Sequence, residues 1–301
     1  MSKLKSLFYL PLWFFKAKFL GKKSPLQTVI FISDRCNLRC RHCNVYARGE
    51  VTTKSYEKVK EELEYSYKLG SRFVDFEGGE PTMWRDDEGR DLNSLIRLAK
   101  EIGFFSATIT TNAVMPFSDS EADSIWVSLD GLGEYHNAIR GNGVFDRLVA
   151  NIAASGHKEV SVNMVVNNIN YKSLDETIEF AKNNPCIRSI SINFHTPYEG
   201  TEELMLEWDK RIEVIDKVIS YKKRGYPIMN SISGLKRMKH NKFKKYCWVS
   251  NFILVDGTKL AECPGSIAGV CDKCGFCMAG EMHSVMTLKP DTIFAGLKLR
   301  T

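Results

Sequence analysis

The chain has 301 residues, of which 44% are hydrophobic and 26% are charged. This length and apolar fraction are enough for a buried core in one large α/β domain, or in a barrel with an appendage, and they exclude a disordered chain. A net charge of +6, with basic residues enriched at 236–245, is too small to predict nucleic-acid binding, so no nucleic-acid partner is expected.

Nine cysteines are an odd number, and six of them are separated by gaps of two or three residues. Such gaps are typical of metal binding rather than of disulfide bridges. The cysteine pattern therefore predicts a reducing, cytoplasmic location.

Residues 1–27 precede the first predicted strand and form an N-terminal cationic segment rich in Phe and Trp. Lys16 and Lys18 interrupt its apolar run before the run could span a bilayer, and no small-residue cleavage site follows, which argues against a signal peptide. Two interpretations of residues 1–22 stay open. They form either an amphipathic helix in peripheral contact with a membrane, or a helix packed on the open side of the domain.

Strand-like and helix-like segments alternate from residue 28 onward. Six such β/α units in order predict an α/β fold, a partial (β/α)6 TIM-like barrel over residues 28–225. The predicted strands cover 28–33, 71–79, 104–112, 124–131, 159–167 and 189–197, and the predicted helices cover 55–70, 92–103, 144–156, 173–184 and 201–225.

The alternation stops after Gly225. Residues 226–301 contain one predicted hairpin, at Asp256–Gly257, followed by closely spaced cysteines. This pattern predicts a small C-terminal cysteine-rich appendage that binds a metal centre. In a parallel barrel the functional residues lie at the carboxyl ends of the strands, where the unusual residues of this sequence fall.

Three cysteines, Cys36, Cys40 and Cys43, directly follow the first predicted strand in the stretch SDRCNLRCRHCNVY. Each iron of a 4Fe-4S cluster needs an outer ligand, so three thiolates leave one iron with open positions. An open position is typical of a reactive metal rather than of a structural one. A structural zinc site completed by His42 or by a distant residue is the alternative.

The motif CNLRCRHC, placed after the first strand of a β/α barrel, resembles the signature of the radical S-adenosylmethionine (radical SAM) enzymes. The resemblance covers about residues 28–200. It implies that SAM chelates the fourth iron through its amino and carboxylate groups, and that an electron from the cluster cleaves SAM to methionine and a 5′-deoxyadenosyl radical. That radical abstracts hydrogen from a substrate carbon, and the chemistry implies an electron donor such as flavodoxin or ferredoxin.

The GGEPT motif resembles the strand-two motif of the family, in which Gly78, Gly79 and Glu80 receive the SAM amino group. A tight turn would also explain this motif. SLDG and YHNAIRG resemble the strand-four signature, which implies that Ser128 and Asp130 face the ribose and that Arg140 faces the SAM carboxylate. For Ser128 and Asp130 the alternative role is to cap a turn. The other matches are His42 beside the adenine, and Asn163 and Val165 on the fifth strand.

The second cysteine group comprises five thiols within the appendage, enough to complete a cluster with one to spare. Their arrangement resembles the twitch and SPASM auxiliary-cluster extensions of radical SAM enzymes, and implies one auxiliary 4Fe-4S cluster. The sequence does not choose which four bind, and a zinc knuckle is the alternative. Cys186 is interpreted as a small apolar residue. The five are Cys247, Cys263, Cys271, Cys274 and Cys277.

The sequence therefore predicts a radical SAM enzyme. A ribosomally made peptide, a lipid or isoprenoid, and a small molecule all stay open as substrates. His195, on the sixth predicted strand, is expected to be either a substrate-facing acid or base or a hydrogen-bonded packing residue. The alternative function is a metal-binding assembly or scaffold protein that uses both cysteine groups structurally and does not cleave SAM.

Overall fold

A computed structural model describes residues 2–157 and 160–300 of the chain. Glu159, the predicted first residue of the fifth strand, lies outside the described residues. The strands are β1 (Gln27–Ser33), β2 (Phe73–Gly78), β3 (Ser106–Thr111), β4 (Ser124–Ser128), β5 (Val160–Val166), β6 (Ile187–Phe194), β7 (Ser250–Ile253) and β8 (Lys259–Leu260). The helices are α1 (Ser2–Phe19), α2 (Tyr56–Leu69), α3 (Leu92–Ile102), α4 (Glu134–Arg140), α5 (Val144–Ala154), α6 (Leu174–Asn183), α7 (Trp208–Lys223), α8 (Ile232–Met238), α9 (Pro264–Ile267), α10 (Cys277–Met286) and α11 (Pro290–Arg300).

The strands form one sheet in the order β6-β5-β4-β3-β2-β1-β7-β8. Neighbouring strands from β1 to β6 are parallel, which confirms the predicted partial (β/α)6 barrel. These strands are largely apolar and buried because helices cover them. The register of β1 against β2 shifts after Phe31, at the carboxyl end of β1, where the first cysteine loop leaves the sheet.

The predicted hairpin is confirmed, since β7 and β8 are antiparallel and Leu254 N donates to Thr258 O over 2.9 Å. Its first strand also pairs in parallel with β1, from Gln27 opposite Ser250 onward. The buried hydroxyl of Thr28 donates to Asn251 Oδ1 over 2.7 Å across this pair. Residues of the predicted appendage therefore extend the barrel sheet, and the division of the chain at residue 225 stays a prediction.

The helix predicted over 201–225 begins instead at Trp208. Thr201 is fixed by its contacts with His195 and Tyr198, and the chain then makes one short turn and runs extended at Met205. Leu204 is buried by this path. Tertiary contacts thus override the helical pattern of the first residues.

Helix α1 packs at the amino ends of the first strands. Its Trp13 Nε1 donates to Ser24 O over 2.9 Å, and its Tyr9 hydroxyl donates to Gly70 O over 2.7 Å. Trp13 also packs with Val249. The cysteine loop leaves the opposite end of the sheet, so α1 and that loop lie at opposite ends of the barrel. Within the described part of the chain, no helix has the length and apolar character needed to cross a membrane.

Candidate functional site

The first cysteine loop follows β1 and turns backbone and side-chain donors toward its sulfur atoms. Leu38 N lies 3.4 Å from Cys36 Sγ, and Val45 N lies 3.4 Å from Cys43 Sγ. Arg140 Nη1 lies 3.8 Å from Cys40 Sγ. Such donors stabilise negative charge on sulfur, as a cluster-binding thiolate requires.

Two glycines at the end of β2 allow this loop to approach the sheet. A Cβ atom on Gly79 would lie 2.1 Å from Arg35 O, and one on Gly78 would lie 2.1 Å from Ser33 O. Gly78 also has a φ of 145°, which side chains rarely tolerate. Gly79 N donates to Ser33 O over 2.7 Å. The glycines of the GGEPT motif are therefore required by close backbone packing.

The first cysteine loop and the carboxyl ends of β2, β3 and β4 enclose a cavity of about 160 Å³. All three cysteines line it, together with part of the predicted SAM-binding set. Among the described residues, Asp130, Asn163, Val165 and His195 do not line this cavity. The predicted residues that do are His42, Gly78, Gly79, Glu80, Ser128 and Arg140.

Glu80 connects the ends of β2 and β3 through its buried carboxylate. Oε1 accepts from the hydroxyls of Thr82 and Thr111, each over 2.7 Å, and Oε2 accepts from Asn112 N over 2.7 Å. Burial raises the pKa of Glu80, while these hydrogen bonds oppose that shift. A carboxylate has about four acceptor positions, so Oε2 retains one for a further donor such as an ammonium group.

Asp130 points its fully buried carboxylate at Arg140 rather than at the cavity. Arg140 Nε donates to Oδ2 over 2.7 Å, and Val165 N donates to Oδ1 over 2.8 Å. His42 Nε2 lies 3.8 Å from Oδ2. Asp130 thus orients two residues that line the cavity, whereas the predicted contact between Asp130 and a ribose stays a prediction.

His42 Nδ1 is buried and has no hydrogen-bond partner among the described residues. Burial lowers the pKa of His42 to about 4, so the ring is neutral at physiological pH. An unpartnered polar atom on a cavity wall is satisfied when a ligand is bound. The three thiols of the loop are free, and the two glycines let the loop lie against the sheet. Together with the unpartnered Nδ1 of His42, these features fit a 4Fe-4S cluster with bound SAM.

The remaining predicted residues lie on β5 and beyond β6. Asn163 Oδ1 accepts from Asn193 Nδ2 over 2.7 Å, which links β5 to β6. His195 Nε2 lies 2.9 Å from Thr201 O, so Nε2 carries the hydrogen and Nδ1 keeps its lone pair. The rings of His195 and His42 are in edge contact, with centroids 6.5 Å apart. His195 therefore lies beside the first cysteine site and outside its cavity.

Four cysteines of the second group lie together. The thiols of Cys247 and Cys263 share a hydrogen bond, which raises the pKa of Cys247 and lowers that of Cys263. Cys271 and Cys274 lie close enough to raise the pKa of Cys247 further. The Tyr198 hydroxyl lies near Cys263, since a Cβ on Gly265 would lie 3.3 Å from that hydroxyl and 3.4 Å from Cys263 Sγ. Burial and the nearby Cys263, Cys274 and Cys271 raise the pKa of Tyr198.

Cys277 differs from these four. It is 1% exposed and packs in the main apolar core, and burial raises its pKa. Its backbone N–H donates to Asn193 Oδ1 over 2.8 Å at the start of α10. Within the described ranges, no group of three His, Cys, Asp or Glu residues is arranged to hold a single metal ion.

The second cysteine group is fixed to the barrel at β6. Phe194 N donates to Gly275 O over 2.9 Å, and a Cβ on Gly275 would lie only 1.8 Å from Phe194 O. Arg211 Nη2, from α7, donates to Cys274 O over 2.9 Å. These contacts place Cys274 at the carboxyl end of β6, the same end of the sheet as the first cysteine loop, whereas Cys247 precedes β7 at the amino end of its pair with β1.

A family model described as the radical SAM superfamily matches residues 30–181, half of the chain. The chain belongs to this superfamily. It is therefore an enzyme, and its cofactors are a 4Fe-4S cluster and SAM, as the CNLRCRHC motif predicts.

Curated relatives of this radical SAM enzyme differ in their activities. Mycofactocin maturase MftC from Mycobacterium tuberculosis is 29% identical over 165 residues, which are 52% of this chain and 41% of MftC. Fe-coproporphyrin III synthase from Methanosarcina barkeri is 26% identical over 234 residues, 70% of this chain and 55% of the synthase. The chain thus spans about half the length of these relatives.

Solved structures share the fold. Streptococcus suis SuiB bound to S-adenosylmethionine has a TM-score of 0.63 and 20% identity, covering 81% of this chain and 61% of SuiB. His-tagged anSMEcpe with bound AdoMet has a TM-score of 0.56 and 16% identity, covering 92% of this chain and 80% of anSMEcpe. These likenesses support the partial barrel of the radical SAM fold.

Sequence reasoning missed three residues of this radical SAM enzyme that touch the cysteine groups. Asn112 Nδ2 donates to Asn37 Oδ1 over 2.7 Å and lies 3.9 Å from Cys36 Sγ. The position of Asn112 at the carboxyl end of the third strand could have marked it as a site residue. Tyr198 and Arg211 approach the second group only through folding, and no sequence pattern marks them.

Proposed function

We propose that Cys36, Cys40 and Cys43 hold a 4Fe-4S cluster at which SAM is cleaved, and that the product radical abstracts hydrogen from a substrate carbon. When bound, cluster and SAM supply the 5′-deoxyadenosyl radical. The observation that carries the proposal is the single cavity lined by all three cysteines and by Gly78 and Gly79.

The chain's own residues bind and orient SAM in this proposal. Glu80 Oε2 accepts the SAM ammonium group through its remaining acceptor position. Arg140 donates to the SAM carboxylate through its terminal nitrogens, because its Nε is engaged by Asp130. Asp130 is thus a positioning residue. Neutral His42 offers its unpartnered Nδ1 to the adenine, and Ser128 offers its hydroxyl to the ribose.

Asn163 and Val165 support the site from β5 in this proposal. Val165 N holds the carboxylate of Asp130. Asn163 connects, through Asn193, to the backbone of Cys277. They are positioning residues that tie the SAM site to the second cysteine group.

For the second group we propose an auxiliary 4Fe-4S cluster ligated by Cys247, Cys263, Cys271 and Cys274. Cys263, Cys271 and Cys274 lie around Tyr198, and Cys247 lies beside Cys263. Cys277, in contrast, is enclosed in the apolar core. Four thiolates occupy all four irons, which favours electron transfer or structural support over binding of substrate to the cluster.

A peptide is the proposed substrate. Among the relatives is a maturase, MftC, and one solved structure with this fold is SuiB bound to precursor peptide SuiA. SuiB in that structure covers 90% of this chain at a TM-score of 0.64. The region between the SAM cavity and the second cysteine group, which includes His195, is the proposed entry for the peptide.

Anaerobic reconstitution tests the chemistry. With SAM and reductant, the reconstituted chain is expected to release 5′-deoxyadenosine and to contain about eight irons. The Cys36→Ala/Cys40→Ala/Cys43→Ala variant should retain about four irons and release none. A fully loaded parent chain that releases no 5′-deoxyadenosine would refute the proposal.

Single cysteine variants test the second ligand set. Alanine at Cys247, Cys263, Cys271 or Cys274 is expected to reduce iron to about four per chain, whereas Cys277→Ala should keep about eight. Zinc in place of iron after reconstitution with both metals would support the zinc alternative. Loss of iron in Cys277→Ala, with its melting temperature preserved, would show that the fifth cysteine is a ligand.

A further inference from the structure

Helix α1 has one face that the protein covers. Ser6, Trp13 and Ala17 follow one another at intervals of seven and four residues, so they share one side of the helix. Ser6 is 2% exposed and Trp13 is 5% exposed. Trp13 and Ala17 pack with Val249 and Met286. This face fixes α1 to the barrel.

The opposite face of α1 is apolar and uncovered. Its stripe consists of Phe8, Leu12, Phe15 and Phe19, at intervals of four, three and four residues. They are 72%, 51%, 51% and 60% exposed. Aromatic side chains in a row at such exposure mark a surface that contacts something other than water.

Lysines border this stripe. Lys5, Lys16 and Lys18 are exposed, and each is three or four residues from a member of the stripe. Lys22 and Lys23 follow the helix and are also exposed. Residues 1–33 contain six lysines and no Asp or Glu. The surface around the stripe is therefore complementary to a negatively charged partner.

We propose that α1 docks the enzyme on an anionic lipid bilayer. Phe8, Leu12, Phe15 and Phe19 enter the boundary between headgroups and acyl chains, while the lysines reach back to the phosphate groups. Each lysine near such a surface strengthens binding, and salt weakens it. The helix lies in the plane of the membrane and does not cross it.

The docking has a fixed orientation. Contacts of α1 with Ser24 and Gly70 place it at the amino ends of the strands. The first cysteine loop lies at the carboxyl ends, so the SAM cavity faces away from the bilayer. The enzyme then receives its substrate from the aqueous side, and a lipid inside the bilayer is not reached from this position.

Vesicle co-sedimentation of the full chain tests the proposal. Binding to phosphatidylglycerol–phosphatidylcholine vesicles is expected to exceed binding to pure phosphatidylcholine by about tenfold and to weaken with salt. Phe8→Ser/Phe15→Ser removes two exposed rings and leaves the buried face intact, and it should reduce binding about tenfold. Its release of 5′-deoxyadenosine should equal that of the parent chain.

A matched control removes exposed apolar side chains at the other end of the barrel. Val51 and Met115, 42% and 43% exposed, lie in loops after β1 and β3, and Val51→Ser/Met115→Ser should bind vesicles like the parent. The proposal is overturned if the parent does not bind, or if the Phe8/Phe15 variant binds equally well. A parent dimer that this variant separates, with no vesicle binding, would also overturn it in favour of a second copy of the chain.

Discussion

Arg140 is held at the SAM cavity by Asp130, whose Oδ2 accepts from Arg140 Nε over 2.7 Å. Asp130 is fully buried and Arg140 is 8% exposed, so the pair is shielded from water. The other end of the guanidinium lies 3.8 Å from Cys40 Sγ. One buried carboxylate thus positions a cation between the cluster loop and the proposed site of the SAM carboxylate.

Asp130→Asn should weaken SAM binding without removing any group that lines the cavity. Loss of the carboxylate leaves Arg140 buried without its counter-charge, which typically costs about 3–5 kcal/mol of unfolding free energy. A disordered guanidinium should raise the Kd of SAM about tenfold, because the planar donor fork is no longer preorganised. Isothermal titration of the reconstituted chain gives the Kd, and urea unfolding gives the stability.

The control for this prediction is an exposed ion pair. Glu121 pairs with Arg97 on the surface, and Glu121→Gln should change the unfolding free energy by less than about 1 kcal/mol. Unchanged SAM affinity in Asp130→Asn would contradict a positioning role for the carboxylate.

Gly79→Ala should disrupt the first cysteine loop. The added Cβ would lie 2.1 Å from Arg35 O, a backbone atom that cannot move without displacing the residues next to Cys36. We expect reconstituted iron to fall from about eight to about four per chain. Gly49→Ala is the matched control, since nothing lies within 4 Å of its Cβ position. Equal iron content in both variants would show that the close approach is dispensable.

Local patterns carried most of the barrel prediction. Apolar runs marked each of the six strands, and the end of the second predicted helix is visible at Gly70, whose φ of 117° is a conformation that favours glycine. The first cysteine group was equally visible because its ligands lie within eight residues. Features of this kind depend only on residues close together in the sequence, so they can be predicted without knowing the fold.

Long-range pairing could not be predicted. Strand β7 has only four residues and joins β1 across more than 200 positions of sequence, which no periodicity reveals. The sequence offered no way to distinguish Cys277 among the five cysteines, because only the fold buries it at the start of α10, with its backbone N–H on Asn193. Arg211 acquires its place beside Cys274 only because the fold brings α7 to the end of β6, where its guanidinium lies over the Phe194 ring.

Glu281 makes the stability of the enzyme depend on pH. Burial raises the pKa of its carboxyl group to about 7, while Ser231 N donates to Oε1 over 2.9 Å. The folded state binds the Glu281 proton more tightly than the unfolded state does, so protonated Glu281 stabilises the fold fully at a pH below the ordinary pKa of glutamate. This stabilisation is lost as the pH rises through 7, which lowers the free energy of unfolding by roughly 3 kcal/mol.

Glu281→Gln should remove this pH dependence while keeping an acceptor for Ser231 N. Relative to the parent, we expect little change in unfolding free energy at pH 5 and a gain of roughly 2–3 kcal/mol at pH 8. Urea unfolding at both values measures the difference. Glu101→Gln, an exposed change on α3, should be neutral at both. Equal effects of Glu281→Gln at pH 5 and pH 8 would contradict a buried proton on Glu281.

Arg211 is a buried cation that lies beside the thiol groups of Cys274 and Cys277. It is 2% exposed, lies over the rings of Phe194 and Trp208, and its Nε has no hydrogen-bond partner among the described residues. Burial lowers its pKa, and Cys277 and Cys274 oppose that shift. An anionic cluster on the second cysteine group would supply the missing counter-charge, and the cation would favour the reduced cluster because that state carries one more negative charge.

Arg211→Met should therefore lower the midpoint potential of the proposed auxiliary cluster. The expected shift is roughly 50–100 mV, for a charge that acts over several ångströms in a medium of intermediate polarity. Arg211→Lys keeps the charge and should shift the potential less. An electron paramagnetic resonance titration of the Cys36→Ala/Cys40→Ala/Cys43→Ala background observes the second cluster alone. Equal potentials in the Met variant and the parent would contradict the electrostatic role of Arg211, whereas the absence of any cluster signal in the parent background would refute the proposed cluster itself.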